Sequence, residues 1–89
     1  MREVQAPVVN PLGLHARAAA RFVHLASQFV SHIQVGRGVR TVDGKSILGL
    51  LLLAAARGTT IMIRANGPDE ADAVDALIAF TARGFDDPA

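Results

Sequence analysis

Asn10-Pro11-Leu12-Gly13-Leu14-His15-Ala16-Arg17 joins an extended segment to a helical one, and the rest of the chain is organised around that junction. Before it, Val4, Ala6 and Val8 alternate with Glu3, Gln5 and Pro7, the period of a strand with one buried face. Pro7 cannot donate to a ladder, so this strand belongs at a sheet edge. After it, Ala16 to Val30 reads as helix, with Ala19, Phe22, Val23, Ala26, Phe29 and Val30 along one stripe and Arg17, Arg21, His24 and Gln28 opposite. Pro11 and Gly13 break the chain between the two. His15 therefore falls at the first turn of a helix.

Working outward, Ser31 to Val35 alternates again, with Ile33 and Val35 inward, and Gly36-Arg37-Gly38 predicts a hairpin into Val39 to Val42. Ser46 to about Ala55 predicts a short apolar helix that stops near Arg57-Gly58. Thr59 to Ala65 predicts a strand with Ile61 and Ile63 on one face. Pro68 suits a first helical position, and Asp69, Glu70 and Asp72 complement the dipole of a last helix. Val74, Leu77, Ile78 and Thr81 supply its inward stripe, and Arg83-Gly84 its end. Asp86 to Ala89 reads as a loose tail. The order βαββαβα predicts an α+β fold, an open-faced sandwich whose four-stranded, mostly antiparallel sheet is covered on one face by three helices.

The chain has 89 residues, which predicts one domain over residues 1–89. A net charge of +1 gives no basic field for nucleic acid. The sheet also lacks the aromatic residues that stack RNA bases, with no Tyr or Trp anywhere. No cysteine is present, so disulfides and thiolate metal sites are excluded. The apolar run Ile47 to Ala56 is about half the ~20 residues that span a bilayer. These features predict a cytoplasmic monomer with no nucleic-acid partner, no membrane insertion, no metal and no cofactor. Gly44-Lys45-Ser46 resembles the end of a P-loop, but the glycine needed five residues earlier is Val39.

The chemistry is predicted at His15. The first N–H groups of a helix have no partner within it, and the macrodipole is positive there. Phosphate is the anion such an end holds best. Backbone N–H groups near Ala16 and Arg17, with the Arg17 guanidinium, would contact phosphoryl oxygens. A neutral imidazole is a nucleophile. A helix-end effect is worth only about 0.3–2 kcal/mol. That suits a carrier, which must release what it binds.

The element order, the length and Gly13-Leu14-His15-Ala16-Arg17 together resemble the HPr phosphocarrier family of the bacterial phosphotransferase system, which includes the nitrogen-branch NPr proteins. Asp43-Gly44-Lys45-Ser46-Ile47-Leu48-Gly49-Leu50 resembles the family's second region. The resemblance implies that Enzyme I, charged from phosphoenolpyruvate, phosphorylates His15 on Nδ1, and that His15 passes the group to an EIIA domain. Such a protein is a carrier and not an enzyme in the turnover sense. The resemblance also implies that Arg17 steadies the phosphate, and that Ser46 is a target of HPr kinase/phosphorylase, unless it is simply a helix cap. Ala20, Arg21, Ile47, Leu48 and Leu51 would form the docking patch. Where the family usually has proline after the arginine, this chain has Ala18. The alternative function is a regulatory protein on the same scaffold that acts by docking alone; a histidine paired with Arg17 argues against it. Sugar uptake and nitrogen-related regulation remain open as branches.

Overall fold

The computed structural model describes residues 1–87. Its elements are β1 (Arg2–Pro7), α1 (Ala16–Ala26), β2 (His32–Arg37), β3 (Arg40–Asp43), α2 (Ile47–Leu52), β4 (Thr60–Asn66) and α3 (Glu70–Ala82), followed by a tight turn at Gly84–Asp86. The sheet order is β1-β4-β2-β3, and each neighbouring pair is antiparallel. As Pro7 requires, β1 lies at an edge, and Pro7 faces Thr60 at the end of the ladder.

Register assigns the two faces. Val4 lies opposite Ile63 and Ala6 opposite Ile61, while Ile33 and Val35 of β2 lie opposite Ala65 and Ile63. These residues meet Phe22, Leu50, Leu77 and Phe85 in the core under the helices. The other face is polar. There Arg64 donates to Glu3 at 2.8 Å and to Gln34 at 3.2 Å across three strands.

Helix boundaries and the hairpin loop depart from the sequence expectation, and both early helix ends come from contacts between distant residues. The first helix ends at Ala26, four residues before the expected Val30, which is 77% exposed. Asp69, from the approach to α3, accepts hydrogen bonds from the N–H groups of Val30 and Ser31 at 2.9 and 3.0 Å and turns that segment out of the helix. Asp69 itself stands at the N-cap of α3, so the first helical residue is Glu70 and not the expected Pro68. The second helix ends at Leu52 instead of Ala55. Its last carbonyls are taken by the arginines of the β2–β3 hairpin: Arg40 donates to Leu52 O at 2.6 Å and Arg37 to Leu53 O at 2.9 Å. Ala54 then turns left-handed at φ 51°. In the hairpin, Gly36 belongs to β2 and the two-residue loop is Gly38-Val39, with Gly38 at φ 60° supplying the first position of a type II′ turn.

The tail departs most. Gly84, Phe85 and Asp86 all have left-handed φ, at 68°, 59° and 53°. The Asp87 N–H closes this turn on Gly84 O at 3.0 Å. Phe85 is fully buried, edge-on to both Phe22 and Phe80. Asp86 and Asp87 are therefore fixed in place, whereas the remainder of the expected loose tail, Pro88 and Ala89, lies outside the described residues.

Candidate functional site

The break between β1 and α1 is held by backbone contacts. Gly13 has φ 64° and packs against the segment after α2, where a Cβ would collide with Ala55 O and Ala56 Cα. Leu14 is buried, and its N–H donates to Ala55 O at 2.9 Å. Asn10 is buried too; its Nδ2 donates to Gly13 O at 2.8 Å, while its Oδ1 has no partner among the described residues. Glycine at position 13 is thus a requirement of close approach as well as of conformation.

This platform leaves His15 as the N-cap of α1, with extended backbone (φ −83°, ψ −178°). Its carbonyl accepts the first helical bond, from Ala19 N–H at 2.8 Å. Its side chain makes no capping bond. The ring is a quarter exposed (25%) and points to the C-terminal segment, where Nε2 lies 2.9 Å from Asp87 Oδ2. Nδ1 has no hydrogen-bond partner among the described residues. The amides of Ala16 and Arg17 lie in the opening turn, where a helix offers them no acceptor.

Asp87 collects the site. Its side chain is covered, and besides His15 it accepts from Arg17 Nη2 at 2.7 Å and Asn10 Nδ2 at 3.2 Å. The hydrogen bond from His15 is the main cause that lowers its carboxyl from 3.8 to about 2; burial opposes the shift, and Arg17 and Asn10 assist it. One turn further along α1, Arg21 donates to Asp86 O at 2.8 Å. An open groove lies beside this contact, between α1 and the end of α3. Arg17, Ala20, Arg21, His24, Phe80 and Arg83 are among the residues that line it.

The expected docking residues lie on two adjacent helices. Ala20 is exposed and Arg21 half-buried on α1. On α2, Ile47, Leu48 and Leu51 are exposed, as is Leu52, whereas Leu50 is buried. Ser46 is not brought to His15. It caps α2, its Oγ accepting from Gly49 N–H at 3.0 Å. Its neighbour Lys45 donates to Phe29 O beyond the far end of α1, while the segment after α2 meets Leu14. The two helices thus run in opposite senses, and Ser46 and His15 stand at opposite ends. Among the described residues, no cluster of His, Asp and Glu could hold a metal, and no helix is long and apolar enough to cross a membrane.

Sequence reading missed Asn10 and Asp87. Asp87 is 72 residues from His15. The one local sign was Phe85, an apolar residue after a helix-ending glycine, which needed the core and so fixed the chain just before Asp87.

The fold and the site define a class: open-faced sandwiches with a histidine at the opening of the first helix. The chain belongs to the HPr family, since the family model described as the PTS HPr component phosphorylation site matches residues 2–83. It is 49% identical over 78 residues to the phosphocarrier protein HPr of Cupriavidus necator, covering 88% of each chain. It is 40% identical over 85 residues to the phosphocarrier protein NPr of Shewanella violacea, covering 96% of this chain and 93% of that one. Among solved structures, HPr-C-His from Thermoanaerobacter tengcongensis superposes over the full length of both chains with TM-score 0.94 and 38% identity. The protein is therefore a phosphocarrier of the phosphotransferase system, of HPr or NPr type.

Proposed function

We propose that His15 accepts a phosphoryl group from Enzyme I on Nδ1 and passes it to an EIIA domain in the cytoplasm. The observation that carries this reading is the state of His15: it stands at a helix opening, does no capping there, keeps Nδ1 unbonded among the described residues, and lies beside Arg17 through a shared carboxylate. The Nδ1 lone pair forms the new P–N bond as the bond from phosphorus to the donor nitrogen breaks, and that electron pair returns to the donor. Little else is asked of a protein in phosphoryl transfer beyond positioning and charge stabilisation. The Ala16 and Arg17 amides and the Arg17 guanidinium supply the latter.

The exposed apolar residues Ile47, Leu48 and Leu51, with Ala20 and Arg21 opposite, form the surface on which both partners dock. Phosphorylation of Ser46 by HPr kinase would add roughly −1.5 to −2 charge next to that surface and weaken docking of an acidic partner. Incubation with a bacterial Enzyme I and phosphoenolpyruvate should give one acid-labile phosphate, absent from His15→Ala. Labelling that persists in His15→Ala overturns the assignment. The EIIA that discharges the label identifies the branch.

A further inference from the structure

We propose that Asp87 is a positioning residue for His15: its carboxylate accepts the Nε2 proton, which keeps the lone pair on Nδ1 and keeps the ring protonated at Nε2 once Nδ1 is phosphorylated. This role rests on His15 being the phosphoacceptor. The contact is direct, 2.9 Å from Nε2 to Oδ2. In a neutral imidazole one nitrogen carries the proton and the other the lone pair, and a hydrogen bond at one selects the other for chemistry. A carboxylate can only accept here, so the proton is on Nε2.

The consequence extends through the transfer cycle. When Nδ1 takes the phosphoryl group, Nε2 keeps its proton and the ring becomes cationic. In that form the P–N bond is weak, because the leaving nitrogen departs as a neutral imidazole when phosphorus moves to the acceptor. If Nε2 lost its proton, the leaving group would be an imidazolate and onward transfer would slow. A negative charge held at Nε2 favours the protonated, transferable form. No proton has to enter or leave the site in either half of the cycle.

The contact is built and not incidental. Three consecutive left-handed residues precede Asp87, two of them non-glycine, and L-residues resist this conformation. Buried Phe85 anchors the turn, and Arg21 holds it at Asp86 O. Strain of this kind gathers where structure serves a site. Arg17 meets the same carboxylate through Nη2 alone, which leaves its other N–H donors for phosphoryl oxygens.

The test compares the unaltered protein with Asp87→Ala and Asp87→Asn. In unphosphorylated protein, the His15 Nε2 proton should be visible by ¹H–¹⁵N NMR as a slowly exchanging ring N–H. It should weaken in Asp87→Asn, which keeps an acceptor oxygen, and vanish in Asp87→Ala. Phosphoryl transfer out of His15 should slow by about tenfold in Asp87→Ala, the loss of one charge-assisted hydrogen bond. An unchanged proton signal and rate would overturn the role. A faster rate would also overturn it, since the carboxylate would then be competing with phosphate for Arg17. If the unaltered protein takes no label, the phosphoacceptor reading itself fails; if it is labelled and the Asp87 variants match it in proton signal and rate, the positioning role alone fails.

Discussion

His15 and Ser46 occupy the same structural position, the N-cap of a helix, and use it in opposite ways. Ser46 gives its Oγ to the Gly49 N–H, the usual work of a capping serine. His15 gives α1 only its backbone carbonyl and turns its ring outward to Asp87. Ser46 thus satisfies a donor at the opening of its own helix, while the His15 ring bonds away from α1 to a distant segment. The difference teaches that an N-cap side chain is free for other work only when it is released from capping and held by something else.

The comparison can be broken most severely at His15. Replacing it by Ala should remove all Enzyme I-dependent label, and should affect folding only through loss of the hydrogen bond to the covered Asp87 carboxylate. Ser46→Ala should do the reverse. It should cost about 1 kcal/mol in denaturant unfolding and leave labelling of His15 intact. If Ser46→Ala abolished labelling, the two caps would not be functionally distinct. Gly13→Ala should disturb both properties. Its Cβ meets Ala55 O at a left-handed φ, so stability should fall by roughly 1–3 kcal/mol and transfer should slow as His15 shifts.

Acid sharpens the comparison, because only the His15 end depends on a carboxylate at its side chain. The folded Asp87 carboxyl is lowered from 3.8 to about 2, chiefly by the His15 hydrogen bond. A lowered value means that its contribution to folding is complete above 3.8 and is lost as pH falls towards about 2. NMR titration of the Asp87 carboxyl carbon should find that low midpoint, and in His15→Ala the midpoint should move back towards 3.8. The smallest effect is expected at Ala18, which is buried in the first turn of α1. Ala18→Pro removes an N–H that has no helical partner and should leave labelling intact.

The elements that could be read along the chain were those whose signals are local. Alternation marked Ile33 and Val35, and Ile61 and Ile63, as inward pairs, and Pro7 placed β1 at the edge. The motif around His15 carried the helix opening and Arg17. What was not legible depended on residues far apart in sequence. Asp69 ends the first helical segment by bonding Val30 and Ser31, and Arg37 and Arg40 take the carbonyls that end α2. Asp87 reaches His15 only because Phe85 finds the core beside Phe22 and Phe80. No periodicity encodes these contacts, so a chain end that reads as loose carries the acceptor for the site's histidine.

The role of His15 is decided by which atom the phosphorus is bonded to. Protein labelled with ¹⁵N and charged from phosphoenolpyruvate through Enzyme I should show a phosphorus–nitrogen coupling to Nδ1 of His15, with Nε2 still bearing hydrogen. Phosphorus bonded to Nε2, or to any other residue, would contradict it.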